Sequence, residues 1–441
     1  MERLASAFSP KRNVRLLFVR EQGRHPALDG IRAIAILWVI CLHAIWTRGL
    51  AKFPRDVYVQ MLESRDPLLQ LMLRGDLGVD VFFSLSGFLI GSILVRELAE
   101  TGSLALGRFY VRRYLRLTPV YAVVIALFAM APGFPNRERA WANLLYVNNF
   151  VTQHRQFMPW TWSLAVEEQF YVTMPLVLLV LFRRGRGVVL PGLAVLVAAG
   201  LAIRAVIALA HDLRFPMAPL TGNPQYDLMW DAIYVKPYAR YGCFLPGVAA
   251  AFVHRTVPAE RLRELLRRTS VWLFPLVCLA SALVVYAPIF RSSARWPVHV
   301  GFAYMIGYGS LFGACVAYVI LTCIHEVGPG KLLGRLLSLR IFTPIAQLSY
   351  ATYLVHQPFA WMIYLKLRPG PAVGLVDHLP YIGLLGLVSF GFAAILHLLV
   401  ERPFMHLRPR AIRLADAAGD PAAAQRESLR TLPTARASRR S

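Results

Sequence analysis

Ten largely apolar stretches recur along the chain, at residues 27–46, 77–95, 118–131, 169–182, 188–210, 235–253, 271–290, 300–324, 341–365 and 380–400. A helix needs about 20 apolar residues to cross a bilayer, and most of these stretches reach or approach that length. The third and fourth are short, and their aromatic neighbours, "FYVRRYLRLTPVY" and "WTWSLAVEEQFY", are expected to extend them through the interface. Proline and glycine fall inside several stretches, as membrane helices tolerate. With 57% hydrophobic and only 16% charged residues in 441, the composition excludes an ordinary soluble domain. The expected class is an all-α polytopic integral membrane protein with about ten transmembrane helices.

The formal net charge of +24 raises the question of nucleic acid. The basic residues, however, sit between the apolar stretches and in the tails, where they flank membrane helices. Of the 48 Lys and Arg, 31 fall in the connections on the side of the N-terminus and 13 on the other side. The positive-inside rule then puts both termini in the cytoplasm. The expected organisation is a basic cytoplasmic segment at 1–26, a membrane domain at 27–405 and a disordered cytoplasmic tail at 406–441. No cleavage pattern follows the basic start, so the first helix reads as uncleaved, with an organelle transit peptide as the alternative. The five cysteines form no CxxC pair and imply neither a disulfide framework nor a metal site.

Ionisable groups inside a membrane cost about 2.5–3.5 kcal/mol at a helix centre on insertion scales, and so mark candidate sites. In "LDGIRAIAILWVICLH", Arg32 and His43 are eleven positions apart, which puts them within about 20° of one face and about 16 Å apart. Asp29 precedes Arg32 by three and can pair with it. The second stretch, "GVDVFFSLSGFLIGSILV", holds Asp80 at the expected membrane edge, with Ser86 as a polar group. Arg112, Arg113 and Arg116 cluster in the connection that follows, among aromatic residues, and arginine forks suit phosphates. Glu167 and Glu168 share the outer half with His43, where a carboxylate can orient a histidine. His356, in "SYATYLVHQP", and Arg240, in "YVKPYARYGCFLPG", lie on the outer side too. Phosphate-binding groups inside and a histidine outside suit a donor with a charged head and a long reactive arm. Coenzyme A thioesters have that shape.

These motifs resemble acyltransferase family 3, integral membrane O-acyltransferases of bacterial surface saccharides and related acceptors. The resemblance covers about residues 26–405. It rests on the R-x10-H segment with Arg32 and His43, on "GVDVFFSLSGFLI", and on the RxxR segment with Arg113 and Arg116. "WSLAVEEQFY" with Glu167, and the late "SYATYLVHQP" with Tyr350 and His356, complete it. The family implies His43 as catalytic general base, with a covalent acyl-histidine as the less favoured version. It implies Arg32 steadying the donor, Arg113 and Arg116 binding donor phosphates with Arg112 beside them, and Glu167 orienting His43 or the acceptor. Asp29, Asp80, Ser86, Arg240, Tyr350 and His356 are candidate acceptor or support residues. No permanently bound cofactor or metal is implied; acyl-CoA, with acetyl-CoA the expected form, is a donor substrate. The expected setting is the bacterial inner membrane, with the lipid bilayer and a saccharide or glycolipid acceptor as partners.

There are departures from the family pattern. Members often add an extracytoplasmic hydrolase-like domain after the tenth helix, whereas a short tail follows here, and Ser84 stands where valine is common. The rival function is a membrane transporter of an acylated or charged small molecule, which predicts repeated halves that are not visible. A non-catalytic partner is disfavoured by the presence of both Arg32 and His43. Acceptor choice is expected in the outward connections 47–76, 132–160 and 211–234, with Asp227, Trp230 and Asp231 lining a sugar site.

Overall fold

A computed structural model describes residues 10–20, 25–291, 293–367 and 370–406. Among them every regular element is helical. Residues 407–441, nearly all of the expected disordered tail, lie outside the described residues, as do 1–9 and 21–24 of the basic N-terminal segment. Ten long helices run in order: α1 (Pro26–Lys52), α2 (Leu77–Thr101), α3 (Leu106–Met130), α4 (Trp162–Arg183), α5 (Val189–Ala210), α6 (Pro237–Thr256), α7 (Ala259–Val285), α8 (Val298–Ile324), α9 (Phe342–Leu367) and α10 (Leu379–Leu396). Each expected apolar stretch lies within, or largely within, one of them. The two short ones are extended as their aromatic neighbours implied.

The chain is thus an all-α polytopic membrane protein, and eight of these helices are long and apolar enough to cross a bilayer. The two that fall short by composition are α6 and α9. Both are central: α6 buries Arg240 and α9 buries His356, Thr352 and Ser349. A helix surrounded by other helices needs no continuous apolar face. The contrast is visible among the eight. α2 has 78% of its apolar window buried, whereas α7 has 17% and α5 22%, and α7 exposes Trp272, Leu276, Leu279 and Leu283 outward, as a lipid-facing helix does.

Local signals set the boundaries. Pro26 opens α1 with Asp29 in its first turn, where a fixed φ and a negative charge both favour a helix start. Gly102 stops α2 in the left-handed conformation, at φ +69°. The extension on the third stretch takes in the whole arginine-rich segment 106–117, which forms the first half of α3 and leaves a shorter connection than the arginine cluster suggested. It has no interior proline before Pro119, and Phe109 is buried against the core.

α2 and α6 cross at the centre because glycines let their backbones meet. A Cβ at Gly87 would lie 2.1 Å from the Phe244 carbonyl oxygen, and one at Gly247 would lie 2.0 Å from that of Ser84. The Ser84 hydroxyl ties the same region to α8 by donating to the Gly313 carbonyl at 2.9 Å. Beyond the C-terminal end of α1, the short helices Arg55–Leu62 and Pro67–Leu73 pack Tyr58, Met61, Leu69 and Leu73 against Leu42 and Trp46. They cap that end of the bundle and position the smaller of two cavities.

Candidate functional site

Two cavities occupy the helical core. The larger, about 320 Å³, is lined from α1, α2, α3, α4, α6, α9 and the residues after α10. Its charged lining is Arg32, Arg113, Arg116, Arg255 and Arg402 against Glu167 and Glu401. Arg113 and Arg116 are one helical turn apart and so share a face; Arg112 does not line the cavity. Arg113 is held with its guanidinium 4.2 Å over the Tyr171 ring. Tyr171 and Ser86 both donate to Glu167 Oε1. Arg32 stands 3.9 Å from Asp29, and Tyr350 donates to the Leu117 carbonyl at 3.1 Å, tying α9 to α3.

The smaller cavity, about 130 Å³, holds His43 and lies towards the C-terminal end of α1. Its walls are aromatic: Trp160, Trp162, Trp230, Tyr226 and Tyr234. The Trp230 and Tyr234 rings stack at 4.7 Å, and Trp162 meets Tyr234 at 5.0 Å. Behind this wall Arg240 places its guanidinium 4.9 Å from the Tyr234 ring and 5.3 Å from that of Trp162. Arg240 is paired with Asp80, both 1% exposed. Asp80, expected at a membrane edge, is therefore a core residue. It neutralises the arginine that backs the wall, and neither residue lines a cavity. The two cavities have Val79 and Tyr353 in common.

His43 and His356 meet across α1 and α9. His356 Nε2 is 3.2 Å from His43 Nδ1, and their rings are 4.7 Å apart. His43 Nδ1 lies 2.9 Å from the Val39 carbonyl, and His356 Nδ1 lies 2.8 Å from that of Tyr353. A carbonyl only accepts, so both Nδ1 atoms carry the proton. His356 Nε2 then accepts from His43 Nδ1–H, and His43 Nε2 is left with its lone pair. The group that orients His43 is His356. Glu167, expected to orient His43 or the acceptor, is not at His43: it accepts from Ser86 and Tyr171 in the larger cavity, because α4 faces α2 there.

All three outward connections reach the smaller cavity: Gly75 and Asp76 from the first, Gln153 and Trp160 from the second, and Leu220, Tyr226 and Trp230 from the third. Of the expected sugar-site residues in 211–234, Trp230 lines it and Asp227 and Asp231 do not. Asp231 accepts from the Gln153 backbone N–H at 3.0 Å, and partial burial raises its pKa against that bond. Sequence reasoning passed over the group after α10. His397 bonds Glu401 at 2.7 Å, and Arg402 donates to His397 at 3.1 Å and to Gln347 at 2.6 Å. The spacing of His397 and Glu401, one helical turn apart, was the available signal.

Comparisons with known proteins give the family of the chain. A family described as an acyltransferase domain matches residues 25–398. Nose resistant to fluoxetine protein 6 of Caenorhabditis elegans is 27% identical over 400 residues, 78% of this chain and 46% of that protein. O-acetyltransferase OatA of Staphylococcus aureus is 27% identical over 355 residues, 76% of this chain and 50% of that protein. Peptidoglycan O-acetyltransferase OatA of Listeria monocytogenes is 27% identical over 354 residues, 76% and 49% of the two chains. The chain spans about half the length of the curated relatives it matches. No solved structure matches it. With the family match running from the residue before α1 to the last residues of the helical core, the chain belongs to the membrane acyltransferases of acyltransferase family 3.

Proposed function

We propose that this chain moves an acyl group, acetyl in the simplest form, from acyl-coenzyme A to a hydroxyl of an envelope saccharide. The observation that carries the proposal is the pair of unlike cavities that meet at Val79 and Tyr353, one rich in arginine and one holding the histidine pair. The arginine cavity faces the cytoplasm, as the positive-inside count requires with both termini there, and the histidine cavity faces the outer leaflet of a bacterial inner membrane. Relatives named O-acetyltransferases support the acetyl group.

Arg113 and Arg116 bind donor phosphates, which planar guanidinium forks suit, and Arg32 adds charge on the same route. The thioester arm passes between Val79 and Tyr353 towards His43. The acceptor hydroxyl gives its proton to His43 Nε2 as its oxygen bonds to the thioester carbonyl carbon. His356 Nε2, accepting from His43 Nδ1–H, stabilises the imidazolium that forms. Collapse breaks the carbon–sulfur bond, the thiolate takes the proton back from His43, and free coenzyme A and the O-acyl saccharide leave.

The test uses the full chain in lipid vesicles, with acetyl-CoA and a saccharide acceptor, and reads free coenzyme A thiol. Acceptor-dependent thiol release from donor on the arginine side alone is expected. Movement of an intact acyl compound across the vesicle without thiol release would support a transporter instead.

A further inference from the structure

We infer that the smaller cavity selects its acceptor as a single uncharged sugar ring, held by the indole N–H groups of Trp46 and Trp230 and the amide oxygen of Gln357. This deepens the acyl-transfer function proposed above and rests on it for the term acceptor. Around this cavity the protein leaves three buried polar atoms unpaired. Trp46 Nε1, Trp230 Nε1 and Gln357 Oε1 are each buried without a hydrogen-bond partner, and all three residues line the smaller cavity. Gln357 uses only its amide N–H, donating to Thr47 Oγ1 at 3.0 Å. Burying a polar group unpaired is costly, and three such groups around one cavity point to a ligand that pairs them. Two donors and one acceptor match a ring carrying several hydroxyls, each of which donates and accepts.

The walls agree. Trp230 stacks on Tyr234, and flat aromatic faces pack against the apolar C–H face of a sugar. The cavity, about 130 Å³, is close to the roughly 150 Å³ of a cavity that takes a single six-membered ring. It has room for no more than one sugar ring, so further sugars of a longer chain stay outside it. Gln357 follows His356 on α9, and Trp46 lies three residues beyond His43 on α1, so the ring sits beside the base.

Charge decides the class. Among the described residues Asp76 is the charged side chain that lines this cavity besides the titratable His43, and no Lys or Arg lines it. Asp76 is already held by Arg74, at 3.0 and 3.3 Å through two nitrogens. A phosphate or carboxylate brought in here meets a carboxylate and finds no unengaged cation. The larger cavity, with its arginines, is where anions belong.

The full chain in lipid vesicles is titrated with methyl glucoside, methyl galactoside and methyl mannoside, then with methyl glucuronide and glucose 6-phosphate, reading tryptophan fluorescence. At least one neutral glycoside is expected to saturate the signal, with both anionic sugars at least about tenfold weaker. Trp46→Phe, Trp230→Phe and Gln357→Leu each remove one polar group and keep the bulk. Each is expected to weaken the neutral glycoside about three- to tenfold and to raise its KM by as much, with kcat within about twofold. Three separate variants cover the failure of any one to fold. Equal or tighter binding of the anionic sugars, no binding of any neutral glycoside, or unchanged affinity in all folded variants overturns the inference. Neutral-selective binding without coenzyme A release contradicts the transfer function and leaves the selectivity standing. Coenzyme A release with anionic acceptors preferred does the reverse.

Discussion

The two cavities share Val79 and Tyr353 and little else. One gathers five arginines; the other gathers tryptophan and tyrosine around two histidines. The first has charge to spend on an anionic head group. Two arginines near the second are paired with carboxylates, Arg240 with Asp80 and Arg74 with Asp76, and no Lys or Arg lines it, so its recognition is left to ring faces and neutral hydrogen bonds. A reaction joining a phosphorylated donor to a hydroxylated acceptor needs that asymmetry, and needs the sites to touch at a point where water is scarce. The division predicts that damage on one side appears in donor parameters and damage on the other in acceptor parameters.

The largest effect is expected at the junction. His43→Ala removes the base and should lower kcat by about 100- to 10,000-fold, with donor KM unchanged in steady-state thiol release. Next is the support of the aromatic wall. Asp80→Ala strands Arg240 in the core, and should cost about 3–5 kcal/mol in the unfolding of the detergent-solubilised protein. Asp80→Ala with Arg240→Leu should recover much of that loss; no recovery would break the account of the pair. Arg113→Ala should raise donor KM about 10- to 100-fold through loss of a charged hydrogen bond and leave acceptor KM alone, while Arg112→Ala should change donor KM less than about twofold. A shift in acceptor KM in Arg113→Ala would mean that the cavities are not separate. The smallest loss of stability is expected at the helix crossing: Gly247→Ala should cost about 1–3 kcal/mol in the same unfolding measurement, because its Cβ meets the Ser84 carbonyl.

Much of this was legible in the residues, and the exceptions have physical causes. The helices could be read because apolar length is dictated by the bilayer, and even α6 and α9 were found from their patterns, although buried Arg240 in α6 and buried polar side chains such as Thr352 and His356 in α9 lower their hydropathy. Arg32 and His43 stood out because charge in an apolar run demands a reason, and Arg113 and Arg116 because they cluster among aromatic residues. What was not legible was pairing across the fold. Asp80 and Arg240 are 160 positions apart, and nothing local shows that α2 meets α6 there. The same gap gave Glu167 to His43, when His356 at 313 positions away is the partner. Trp46 and Gln357 were passed over because a search for stray charges does not see a neutral group whose partner is missing.

The central claim is that acyl transfer passes through His43. It is tested most directly by mass spectrometry of envelope saccharides from host cells lacking the gene, carrying it, or carrying His43→Ala at equal protein level. An acyl mass increment on saccharide is expected with the intact protein and none in the other two strains. An increment that persists in His43→Ala would contradict the claim.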